Sequence, residues 1–247
     1  MTTLSPIVNA PNLYVDGLGI ARASNTTLTL AAGSARDSAN VNDITLSSAA
    51  TINGAVVGAN GCDAAVLAAS SMYAVYVIGD SRGIEATAGL LSLSTNSSPT
   101  LPFGYDMYRR VGWILTNGSS QILQFWQTGN GLVRTIWYDV GISELSAGSS
   151  TTYANIDLTT SVPPLATNVW FDIAYTANSA TNTAQFLPFG SSATNGVVRF
   201  GCGVAAAQVG QIKVPCRLNS AAPTVQYKVA SSDALTLLTT GFEDILS

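Results

Sequence analysis

There is no histidine in this chain of 247 residues. Without imidazole, Ser-His-Asp and Cys-His relays lack their base, the usual zinc sites lack a common ligand, and no unperturbed side chain changes charge near neutral pH. Charge is scarce as well: Asp, Glu, Lys and Arg make up 10% of the residues, against about 25% in ordinary soluble domains. Only Lys213 and Lys228 are lysines, and the net charge is −4, so no basic footprint exists for nucleic acid. No apolar run approaches the roughly 20 residues of a membrane span. The opening MTTLSPIVNA has neither a basic leader nor a long apolar stretch. These absences predict a protein made and folded in a cytoplasm, with no nucleic-acid partner and no membrane span.

Cysteine is nearly absent too. Cys62, Cys202 and Cys216 are odd in number and show no CxxC spacing, which fits buried reduced thiols better than a disulfide framework. A Cys202–Cys216 bridge stays open as an alternative if the two flank a hairpin. A nucleophilic thiol has no imidazole to activate it.

What the sequence has is apolar and uncharged polar: 47% hydrophobic residues, with Ser, Thr, Asn, Gln and Gly in place of charge, and a mean hydropathy of +0.30. Disorder needs the opposite composition, and the length suffices for a core without disulfide or metal staples. Alternation of period two, enriched in β-branched and aromatic residues and bounded by Gly, Asn, Ser and Pro, recurs along almost the whole chain. It predicts an all-β fold of antiparallel β-sandwich or jelly-roll-like domains. The clearest strands are Met72 to Ile78, Tyr108 to Thr116, Ser120 to Gln127, Leu132 to Tyr138, Asn168 to Thr176, Thr224 to Val229 and Ala234 to Thr239. Asn117-Gly118 and the run Thr128 to Gly131 are hairpin signals and predict three successive antiparallel strands around them. The best helical candidate, Asn60 to Ser70, is short.

Composition divides the chain into four parts. Residues 1–40, broken by Pro6, Pro11, Gly17, Gly19 and Gly33, read as an extended N-terminal arm with edge strands, docking on a neighbouring subunit or fraying at its terminus. Residues 41–142 form a first β domain, the Ser/Thr/Gly-rich 143–152 a linker, and 153–247 a C-terminal β-sandwich. The tetrapeptide Leu-Pro-Phe-Gly occurs at Leu101 and again at Leu187 with unlike flanks, which reads as repeated turn chemistry.

No constellation specifies catalysis, a cofactor or a metal. Arg109-Arg110, the one basic pair, sits in the apolar stretch GYDMYRRVGWIL, and on a strand its members point to opposite faces. One is expected to pack inward beside a carboxylate, Asp106 or Asp139 being nearest, and the other to face solvent or a neighbouring chain. The remaining acids are scattered, and Glu243-Asp244 reads as a solvated end. Trp113, Trp126, Trp137 and Trp170 are core by default, with Trp113, Trp126 and Trp137 on successive strands, or else a sugar-stacking surface. The Gly clusters lack the context of a nucleotide site.

The stretch from Leu28 to Tyr138, a little under half the chain, resembles a recurring module of tailed-bacteriophage virion proteins. Its carriers are AAGSARDSANVNDITL (Ala31 to Leu46), GANGCDAA (Gly58 to Ala65), SMYAVYVIGDS (Ser71 to Ser81) and above all LLSLSTNSSPTLPFGYDMYRRVGWILTNGSSQILQFWQTGNG (Leu90 to Gly131). Cys62 and the Trp126 beside Phe125 depart from the pattern. The resemblance implies a non-enzymatic virion structural protein, a β-rich homotrimer forming a fibre, spike or decoration on the head or tail, assembled in the host cytoplasm. Its implied partners are copies of itself and other capsid or tail proteins. The alternative is a carbohydrate- or receptor-binding tail-fibre module that meets a host surface glycan through exposed aromatics. Low charge fits symmetric packing, where each exposed charge would meet its own copy.

Overall fold

The computed structural model describes residues 13–93, 98–129, 131–192, 196–201 and 203–246, and within them it is all-β, with twenty strands and no helix. The first ten are β1 (Val15–Gly17), β2 (Ile20–Arg22), β3 (Thr27–Leu30), β4 (Gly33–Arg36), β5 (Asp43–Leu46), β6 (Ala50–Asn53), β7 (Gly61–Cys62), β8 (Met72–Gly79), β9 (Ala88–Leu93) and β10 (Met107–Leu115). They form three sheets, ordered β1-β4-β5, β2-β3-β6 and β10-β8-β9-β7. All eight residues of β8 are buried, as an unbroken apolar run requires when both faces of a strand are covered. Gly89 on β9 shows how closely two of these sheets approach, because Ile52 of β6 occupies the space a side chain there would need.

The second ten are β11 (Phe125–Thr128), β12 (Val133–Gly148), β13 (Ala154–Asp157), β14 (Ala166–Thr176), β15 (Thr183–Pro188), β16 (Val198–Gly201), β17 (Ala207–Pro215), β18 (Arg217–Asn219), β19 (Ala222–Lys228) and β20 (Ala234–Ile245). One sheet runs β11-β12-β20-β14-β17 and the other β13-β19-β15-β16, with β18 paired to β19. Take away the edge strands β11 and β18, and eight antiparallel strands remain in the interleaved order of a jelly roll. Burial alternates along β14 and β20, so each strand turns one row of side chains inward. Across the sandwich, Tyr175 on β14 meets Phe200 on β16 edge to face at 6.5 Å. The expected all-β, antiparallel, jelly-roll-like fold is present.

Several local expectations fail. Ser143 to Gly148, read as linker, lies in β12, where Ser143, Leu145 and Gly148 face Leu238, Leu237 and Leu235 of β20. The Ser/Gly-rich composition reflects register shifts in that stretch and a positive φ of 50° at Ala147, both of which suit small residues in a bulged strand. The divisions at 40/41 and 142/143 therefore cut paired strands: the β4–β5 hairpin spans the first and β12 the second. Residues 60–70 hold no helix. The Asn117 turn forms, closed by the Ser120 amide on the Asn117 carbonyl at 3.1 Å, and β11 pairs with β12 as expected, but β10 and β11 do not pair: only the isolated Thr116–Ile122 bridge joins the segments beside them.

The N-terminal arm differs from expectation as well. Val15, Leu18 and Ile20 are buried within the chain's own sheets, through the pairing of β1 with β4 and of β2 with β3. They need no neighbour to cover them. Leu4, Ile7 and Val8 lie outside the described residues. Both Leu-Pro-Phe-Gly copies are β-turns closed from the Tyr105 and Ser191 amides to the Pro102 and Pro188 carbonyls, at 3.1 and 3.2 Å. Gly104 and Gly190 supply the positive φ of 95° and 73° at the third position.

Candidate functional site

One transverse row crosses the outer face of the five-stranded jelly-roll sheet: Trp126 on β11, Trp137 on β12, Gly241 on β20, Trp170 on β14 and Lys213 on β17 are successive cross-strand partners. The indoles of Trp126 and Trp137 lie 6.3 Å apart and 16° from parallel, and those of Trp137 and Trp170 lie 5.0 Å apart. Gly241 lets the row close up, because a Cβ there would run into the Ile136 carbonyl and the Trp137 ring. Trp126 is 49% exposed, while Trp137 and Trp170 are half-buried. Trp137 is pinned by its indole N–H, which donates to Thr128 Oγ1 at 3.2 Å.

Polar groups border the indoles. The Lys213 ammonium sits 5.4 Å from the Trp170 ring centroid and 2.9 Å from Glu243 Oε2, while Asn168 Nδ2 donates to Glu243 Oε1 at 2.8 Å. Further along the same sheet, Asp172, Ala174, Val209, Thr236 and Leu238 line an open depression of about 400 Å³, with Val209 81% exposed. Gln211 spans its rim, donating to Asp172 and Thr240. The face is thus aromatic and apolar at its centre, with Lys213 and Glu243 paired at one end and Asp172 held by Gln211 at the other.

The row contains two of the three tryptophans expected to cluster, and Trp170 completes it. Trp113 is elsewhere, buried on β10 with its N–H donating to Asp244 Oδ2 at 2.8 Å. Sequence reading named Trp170 among the candidate aromatics but did not place it beside Trp126 and Trp137, because no local pattern shows that β14 and β12 flank the same strand, β20. Among the described residues, no cluster of three His, Cys, Asp or Glu side chains could hold a metal ion. Cys62 and Cys216 are free and buried, and burial pushes their thiols up to about 11 and about 12. Such thiols are poor nucleophiles. Cys202, and with it any pairing to Cys216, falls outside the described residues.

Arg109 and Arg110 are both buried, so neither reaches solvent. Arg110 pairs with Asp244, not with Asp106 or Asp139, and Asp244 is 1% exposed, not solvated. The reason is tertiary: β20 brings the chain's end beside β12, within reach of β10. Among the described residues Arg109 makes no ion pair with a carboxylate, although the Asp37 charge lies near enough to favour its charged form. It donates to the Arg36 and Asp37 carbonyls and to Asn40 Oδ1, and burial lowers its pKa. Asp106 instead accepts from the Ser81 amide and hydroxyl, which hold its pKa down.

No protein-family model and no curated protein matches the chain. Among solved structures, a carbohydrate-binding module of Cellvibrio mixtus lichenase 5A, in complex with cellotriose, is similar over 51% of this chain and 88% of that one. The identity is 14% and the TM-score 0.22, a likeness too slight to argue from.

Proposed function

We propose that this chain is a non-enzymatic structural protein of a tailed-bacteriophage virion, a homotrimer that forms part of a fibre, spike or decoration on the head or tail. The jelly-roll order of β12 to β20 carries the reading on the structural side, since viral capsid and lectin domains both use that arrangement. The module-like stretch from Leu28 to Tyr138 supports it on the sequence side. A charge-poor, hydrogen-bonding surface suits repeated contacts between identical copies. Gold-labelled antibody on intact particles tests the location, with labelling at one repeated position expected. Mass photometry tests the assembly, with three times the 25.5 kDa chain mass expected. Unlabelled particles, or a monomer at every concentration, would remove the proposal.

The tryptophan row favours a second reading, recognition of a host surface glycan. The two are compatible, because a particle's surface protein is also the part that meets the host. As fold alone does not decide function, this second reading rests on the row.

A further inference from the structure

We infer that the row from Trp126 to Trp170 is a binding site for a neutral, unbranched oligosaccharide lying across the strands. The inference rests on the glycan reading above and adds the place, the orientation and the charge class of the ligand.

The first argument is geometric. Three indoles stand on three strands of one sheet face at steps of 6.3 and 5.0 Å, spacings comparable with the length of a single sugar ring. A pyranose presents a face of C–H groups, which suits the electron-rich face of an indole. Its hydroxyls point outward around the ring and need acceptors and donors beside the aromatic surface. Glu243, Asn168 and the Lys213 ammonium sit at the Trp170 end of the row to meet them.

The second argument is electrostatic. The cation at the row, Lys213, is already held by Glu243 at 2.9 Å, so an acidic glycan would have to compete with a carboxylate for it. A neutral sugar only adds hydrogen bonds to the pair as it stands. The same pair argues against a second protein copy as occupant. Cores of protein interfaces are depleted in charge, and sealing this half-solvated pair under another subunit would desolvate both ions. Trp126 at the other end, stacked on Trp137 on one side and half exposed, keeps open indole surface for a sugar.

The test is titration of the 247-residue chain with cellohexaose, maltohexaose and chitohexaose, and with an oligogalacturonate as acidic comparator, followed by tryptophan fluorescence and calorimetry. Trp126→Ala is the principal variant, because the side chain is half exposed and its loss spares the core. Phe103→Ala, at a fully exposed aromatic outside the row, is the control. At least one neutral hexaose is expected to bind, with affinity falling roughly tenfold or more in Trp126→Ala and unchanged in Phe103→Ala. Binding that survives Trp126→Ala overturns the placement. Binding of the oligogalacturonate alone overturns the neutral assignment and leaves the glycan reading standing, whereas no binding of any of the four removes both. If Trp126→Ala dissociates an oligomer seen by mass photometry, the face is a subunit contact and the inference fails.

Discussion

Arg110 and Asp244 come from positions 134 residues apart and share one buried contact, with the Trp113 N–H on the same carboxylate oxygen and the guanidinium 4.9 Å from the Trp113 ring centroid. The second oxygen, Asp244 Oδ1, has no partner among the described residues. A buried ion pair is worth little against a well-packed apolar pair, but removing one member strands the other charge. Asp244→Ala is therefore expected to cost about 3–5 kcal/mol, measured by denaturant unfolding, while the double change Arg110→Met with Asp244→Leu costs clearly less. A smaller effect belongs to Glu144. Burial raises its pKa, against hydrogen bonds from Ser161 and Thr239. A carboxyl whose folded pKa lies above its unfolded one favours folding at low pH, and that contribution is lost as pH rises through the folded value. Glu144→Gln should thus raise the melting temperature at pH 7 relative to the parent, with the difference closing toward pH 4.

At the scale of elements, β12 and β20 organise the jelly roll. A Cβ at Gly241 on β20 would meet the Ile136 carbonyl of β12, so Gly241→Ala forces the strands apart and is expected to destabilise by about 1–3 kcal/mol. It should also separate Trp137 from Trp170, visible as a change in near-ultraviolet circular dichroism. The bulged end of β12 gives a second contrast. Four flexible residues inserted after Leu145 interrupt pairing with Leu237 and should lower the melting temperature. The same insertion after Thr151, outside the strands, should leave it nearly unchanged.

At the scale of the molecule, part-buried hydrogen bonds and a shared core join the two halves. Arg134, on β12, donates to the Gly17 carbonyl at 2.6 Å, Arg22 to the Ile122 carbonyl at 2.8 Å, and the Ile20 amide to Gln127 Oε1 at 3.0 Å. Buried apolar residues from both halves join in one connected core. Unfolding is accordingly expected as a single cooperative transition, with calorimetric and van't Hoff enthalpies in agreement. Two separated transitions would show that the halves are independent.

Sequence alone determined the properties that depend on local order. Alternation of apolar and polar residues made the described chain all-β, Met72 to Ile78 was legible as a strand though not as one covered on both faces, and Pro-Phe-Gly set both turns. Missing histidine and scarce charge narrowed the chemistry before any fold was known. Strand order was not legible, because pairing partners are chosen by which faces must be buried together, at any separation along the chain. Ser143 to Gly148 had the composition of a linker yet became strand once β20 lay beside it, and Asp244 looked like a solvated end until Arg110 met it. The tryptophan row belongs to the same class. β11 and β12 are neighbours in sequence, but β14 and β20 are not, and only the sheet that sets Gly241 between Trp137 and Trp170 turns separate aromatic residues into one surface.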